Sequence, residues 1–170
     1  GSRVFGDFFV EVVMDYTSSI YFPSDRLSDV SDVSIEASKA GQEVHFGPAV
    51  RKEDLGSKRS DRNNLFYSKC LWVDIDSPDK DLPSDQKLKR SKELLDGFLE
   101  ALKVYGLEPS YIICSGHGYH VYFILQKVYQ LPSADWEKMQ GALIDLAKGD
   151  RQAKDPTRLI FAATVQQIQH

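Results

Sequence analysis

The order of segments in this 170-residue chain predicts an α+β fold, helices packed on a small mixed sheet. Short apolar runs bounded by Gly, Pro and Ser mark strands near 43–50, 65–75, 111–114 and 120–125. Leu and Phe recur at helical spacing after Ser84, and Trp136, Met139, Leu143 and Leu146 after Ser133. The two kinds of segment alternate along most of the chain.

Residues 7–22 alternate loosely and are rich in Phe, Val and Tyr, a pattern that admits helix or strand; it is read here as a helical start. From Pro23 to Gly41 the chain is polar, with Ser-Asp and Asp-Val repeats. This segment reads as loop, with a short strand near Val33-Ser34-Ile35. Glu43 to Val50 forms a short strand with a Gly47-Pro48 stop, and 52–64 a charged loop. Leu65 to Ile75 is the next strand.

The clearest helix starts at Pro83-Ser84, repeats Leu88, Leu94, Leu95, Phe98, Leu99 and Leu102, and ends at Gly106. Tyr111 to Cys114 follows as a strand. Strand, helix and strand in that order make a right-handed βαβ unit, parallel if both strands share a sheet. Ser115 to Gly118 is a tight turn, and His120 to Leu125 is the hairpin partner of the preceding strand. Ser133 caps a second helix, with Trp136, Met139, Leu143 and Leu146 on one face and Gly149-Asp150 at its close. Leu159 to Phe161 is a last short strand.

Length implies one domain, residues 3–170, behind a Gly1-Ser2 pair that reads as a cloning scar. No apolar run approaches membrane length. Cys70 and Cys114 form no CxxC, which argues against zinc and for an intracellular, cytoplasmic location. A net charge of −4 argues mildly against nucleic-acid binding. The distribution argues the other way. Arg51, Lys52, Lys58, Arg59 and Arg62 cluster in a Gly-containing loop, whereas Lys87, Lys89, Arg90 and Lys92 read as the solvated face of a helix.

The chemistry centres on Leu71-Trp72-Val73-Asp74-Ile75-Asp76. On a strand, the period of two puts Asp74 and Asp76 on one face, roughly 6.6 Å apart along the backbone. Paired hard oxygen ligands suit Mg²⁺ or Mn²⁺, whose shells are completed by substrate phosphates. Two acids at a strand end also serve as a plain turn signal. Ser115-Gly116-His117-Gly118-Tyr119-His120 adds glycines that admit a ligand and a turn able to turn amides toward phosphate. Asp155-Pro156-Thr157-Arg158 adds an acid to complete a metal site and a guanidinium to hold phosphate oxygens. Trp72, Tyr111, Tyr122 and Phe123 read as core aromatics, His117 as an exposed turn residue, and His45 and His170 belong to no constellation.

Taken in order over residues 44–160, these pieces resemble the archaeo-eukaryotic primase superfamily, in particular the RepB-prime-like primase-polymerases of plasmids, phages and CRISPR-linked elements. The resemblance implies an RRM-like catalytic core and template-dependent addition of nucleotides to a primer 3′-hydroxyl. It implies two Mg²⁺ or Mn²⁺ ions on Asp74, Asp76 and a third acid, Asp155, with Asp150 as its rival. Ser115, Gly116, His120 and Arg158 match the nucleotide-binding positions, and Lys58 and Arg59, with Arg51, match loosely. The implied partners are DNA template and primer, nucleoside triphosphates, and a larger multidomain protein, with no membrane. After Arg158, Phe161-Ala162-Ala163-Thr164 stands where the family continues with a second arginine and a Pro-Gly turn. The same acids would serve a metal-dependent nuclease, and the same fold a catalytically silent nucleotide- or nucleic-acid-binding module.

Overall fold

The computed structural model describes residues 9–15, 17–148 and 160–161. The fold is α+β, as expected, with its strands divided between two sheets that belong to two compact units.

The first unit opens with a hairpin, β1 (Phe9–Met14) and β2 (Ser18–Pro23), paired antiparallel. The helical start read from residues 7–22 is therefore wrong. Glu11, Val12 and Val13 are all buried in succession, so the period-2 alternation that signals a half-exposed strand is absent. Asp15 makes the turn at φ 48, a left-handed conformation that Asp tolerates better than most residues, and its carboxylate accepts the Glu43 amide at 2.7 Å.

The segment expected as loop with a strand at 33–35 is instead a helix, α1 (Leu27–Lys39). Its apolar residues are few but helically spaced. Val30, Val33 and Ala37 meet Val12, Met14, Phe22 and Val44 in one core cluster. Tertiary burial, rather than propensity, holds this Ser- and Asp-rich helix. β3 (Val44–Phe46) pairs antiparallel with β1, and β7 (Ile160–Phe161) with β3, giving the order β2-β1-β3-β7.

The second sheet has the order β4-β6-β5, from β4 (Tyr67–Asp76), β5 (Tyr111–Cys114) and β6 (Gly118–Gln130). β5 and β6 form the expected antiparallel hairpin. The end of β4, Asp76, abuts the start of β6, Gly118, whereas Cys70 meets Phe123 further along, so these two also run antiparallel. β4 and β5 are thus parallel, as the βαβ reading required, but β6 lies between them. This is the split β-α-β arrangement.

α2 (Ser84–Val104) ends with Gly106 at φ +64, the left-handed position glycine takes without strain. Its Phe98 packs edge-on against Phe123 of β6 at 6.3 Å, with Leu95 and Leu102 buried alongside. Arg90, Lys92 and Lys103 pair with Glu93, Asp96 and Glu100 on the exposed side, confirming a solvated face there.

α3 (Ala134–Ala147) begins at Ser133, whose hydroxyl accepts the Trp136 amide at 3.2 Å. It ends at Lys148 in the left-handed region; the expected closing pair Gly149-Asp150 lies outside the described residues. Trp136 stacks obliquely on Trp72 at 5.4 Å. Among the described residues β4 is an outer strand, and Gln140 covers its edge. The Gln140 amide nitrogen donates to the Trp72 carbonyl at 2.8 Å, and its oxygen accepts the Trp72 amide at 3.1 Å.

Candidate active site

β4 delivers the two acids where its apolar run ends. Leu71, Trp72, Val73 and Ile75 are buried, Asp74 is half-buried and Asp76 is exposed. The strand is thus fixed by its core while its last carboxylates keep access to solvent.

β6 places its own polar residue opposite. His120 is 5% exposed, and its Nε2 lies 3.7 Å from Asp74 Oδ1. The contact puts both side chains on one face of the sheet. It becomes an ion pair when the imidazole is protonated.

Gly118, two residues before His120, faces Asp76. A Cβ built there would stand 2.0 Å from Asp76 Oδ1 and 2.4 Å from the Ile75 carbonyl oxygen. No side chain fits. The second glycine of the motif is therefore a contact requirement: β6 begins against the carboxylate itself.

The turn before it is tied by Ser115. The Ser115 hydroxyl accepts the Gly118 amide at 3.0 Å and the His117 amide at 3.4 Å, and it donates to the Gly118 carbonyl at 3.2 Å. Gly116 sits at φ +88, which completes the reversal. From α2, the buried Ser91 hydroxyl donates to the His117 carbonyl at 3.5 Å. Ser115 is itself 4% exposed, so its hydroxyl shapes the turn.

The structure therefore brings together Asp74, Asp76, Ser115, Gly116 and His120 around the β4 end and the β5–β6 turn. Lys58 and Arg59 lie in the other unit, exposed on their loop. Asp155, its rival Asp150, and Arg158 lie outside the described residues. Among the described residues no cluster of three or more His, Cys, Asp or Glu side chains forms a ready metal cage.

Arg51 does not face a triphosphate: it is fully buried, its Nε donating to Glu11 Oε2 at 3.0 Å. Tyr111 is not core but 64% exposed, on β5, an outer strand among the described residues. Trp72, Tyr122 and Phe123 are buried and His117 exposed, as expected. Burial raises the Tyr122 phenol well above its usual value, with the Cys70 and Asp74 charges adding to it, so it stays protonated beside the site. Burial likewise pushes the Cys70 thiol up to about 11, which makes it inert as a nucleophile.

Sequence reasoning missed Ser91, Gln140 and the steric role of Gly118. Ser91 carried a signal, since it occupies the buried stripe shared with Leu95, Phe98 and Leu102. Gln140 stands likewise on the buried face of α3.

A split β-α-β sheet with paired carboxylates at one strand end and a histidine facing them defines a class of fold and site. No family model matches the chain, and neither does any curated protein. Among solved structures, the chain is similar to the AEP domain of the cyanophage S-2L primase-polymerase (PrimPol), at 18% identity and a TM-score of 0.56. The match covers 95% of this chain and 75% of that one. The two share a fold.

Proposed function

We propose that residues 3–170 are one catalytic domain of an archaeo-eukaryotic primase-polymerase of the RepB-prime-like kind, adding nucleotides to a primer 3′-hydroxyl on a DNA template. The observation that carries this reading is the meeting of Asp74 with His120, and of Asp76 with Gly118, on one sheet face. The fold shared with the cyanophage domain supports it.

The donor set fits a hard divalent cation. Asp74 and Asp76 offer only oxygen, on a rigid strand, and Asp76 is open to solvent. Mg²⁺ or Mn²⁺ held there with a third acid, Asp155 or Asp150, would neutralise charge on the attacking and leaving oxygens. The chain's own groups then position the reactants. His120, fixed beside Asp74, would hold a proton toward the triphosphate; the Ser115–Gly118 turn, whose His117 and Gly118 amides are taken up by the Ser115 hydroxyl, would fix the start of β6 and so His120; Arg158, Lys58 and Arg59 would bind further phosphates.

Extension of a labelled primer–template with nucleotides and Mn²⁺ tests the reading. Asp74→Ala and Asp76→Ala are expected to lose extension at least 100-fold while keeping the wild-type circular-dichroism spectrum. Near-wild-type extension by either variant would sink the assignment. Loss of labelled strand without nucleotides would favour a nuclease, and nucleotide binding without extension a silent binding module.

A further inference from the structure

Glu11, 1% exposed on β1, is held by four side-chain and backbone donors. Its Oε1 accepts the Ser19 hydroxyl at 2.8 Å, the Ser60 amide at 2.9 Å and the Tyr21 hydroxyl at 3.3 Å. Its Oε2 accepts Arg51 Nε at 3.0 Å, and Arg51 Nη1 donates to the Ala49 carbonyl at 2.5 Å. A Cβ on Gly47 would stand 2.2 Å from Arg51 Nη2, so the guanidinium fills the space beside that glycine.

This network converges on one short loop. Tyr21 places its hydroxyl 2.7 Å from the Lys58 carbonyl, the Ser19 amide donates to the Ser57 carbonyl at 3.2 Å, and Ser60 is held by Glu11. Residues 57, 58 and 60 are thus fastened to the β1–β2 hairpin by their backbones. The side chains of Lys58 and Arg59 point to solvent. The exposed cations Arg90, Lys92 and Lys103 of α2 each have a carboxylate partner; among the described residues Lys58 and Arg59 form no ion pair. Nearby carboxylates are otherwise engaged. Asp54 accepts the Gly56 amide, and Asp61 accepts the Asn63 and Asn64 amides; Glu53 is the remaining acid of the loop.

We infer that the buried Glu11–Tyr21–Arg51 network is a pedestal that holds Lys58 and Arg59 as a preorganised phosphate-binding pair, with Tyr21 as its positioning residue. The inference rests on the nucleotide and nucleic-acid substrates proposed above. Fixing the backbone in advance removes the ordering cost that an exposed, mobile pair of cations would meet on binding. Phosphate is the shared chemistry, supplied either by a nucleic-acid backbone or by a nucleoside triphosphate.

The test uses the whole chain in EDTA, with two probes: a labelled single-stranded oligonucleotide, followed by anisotropy, and a fluorescent nucleoside triphosphate. Lys58→Ala/Arg59→Ala should weaken one probe or both by about tenfold, and for the oligonucleotide lower the salt slope by about 1.4. The probe affected identifies the source of the phosphate. Tyr21→Phe, which keeps the ring in the core, should weaken the same probe about threefold and add nothing in the Lys58→Ala/Arg59→Ala background. Wild-type affinity of the double variant for both probes overturns the inference, as does a Tyr21→Phe effect of equal size in both backgrounds. Absence of primer extension with this binding intact would remove the polymerase reading and leave the pedestal. Extension with no dependence on Lys58 and Arg59 would do the reverse.

Discussion

At the scale of single residues, Gly118 and Glu11 show how little tolerance the chain has where polar groups are packed. Gly118→Ala forces a methyl onto the Ile75 carbonyl and the Asp76 carboxylate. The expected result is a loss of about 1–3 kcal/mol in urea unfolding together with a fall in primer extension, since Asp76 must move. A variant with unchanged activity would show that the Asp76 position is not critical. Glu11 is governed by a balance. Burial alone would raise its carboxyl, but the Ser60 amide, the Arg51 charge and the Ser19 hydroxyl outweigh it and hold it below its ordinary value of 4.5. Burial lowers the Arg51 guanidinium, opposed by Glu11, and a guanidinium in a protein keeps its proton. Because the folded Glu11 is the stronger acid, its contribution is full above 4.5 and is lost as pH falls through the lowered folded value. Glu11→Gln leaves Arg51 buried without its counter-charge, at a cost of about 3–5 kcal/mol. Stability measured against pH should therefore fall less steeply on the acid side in the variant than in the wild type. Parallel curves would mean that Glu11 is not the group lost.

At the scale of elements, legibility followed the period. α2, α3 and the β5–β6 hairpin were readable because their apolar residues recur at spacings that only one structure explains. β1 was not: with Glu11, Val12 and Val13 all buried, its pattern matches neither period, and its glutamate is paid for by partners up to 49 residues away. α1 hid because Ser and Asp fill it, although Val30, Val33 and Ala37 kept the helical spacing. Asp74 and Asp76 were legible as a pair from alternation alone. Their supports were not, because Gln140 reaches Trp72 across 68 residues of sequence. Gln140→Leu keeps the volume but strips partners from the Trp72 amide and carbonyl, both at the edge of the acid-bearing strand. The expected loss is about 2 kcal/mol or more, read from the urea midpoint. A neutral Gln140→Leu would show that water or another group replaces the side chain there.

At the scale of the whole molecule, charge and stability are linked through the acids. A chain with net charge −4 that concentrates two carboxylates on one strand end carries local repulsion in the absence of cations. A divalent ion that binds only the folded state relieves it and raises stability by mass action. At 100-fold above its Kd the gain is about 2.7 kcal/mol, or about 5–11 °C at the 2–4 °C per kcal/mol typical of this chain length. Mn²⁺ should therefore raise the melting temperature of the wild type in the absence of any nucleotide or DNA. Asp74→Ala and Asp76→Ala relieve the same repulsion by deletion, so each is expected to melt no lower than the metal-free wild type and to gain little from Mn²⁺. That pairing separates a cation site from a merely decorated strand end without reference to catalysis. If the wild type melts at the same temperature with and without Mn²⁺, the carboxylates do not hold a cation on their own. If the alanine variants gain as much as the wild type, the ion binds elsewhere.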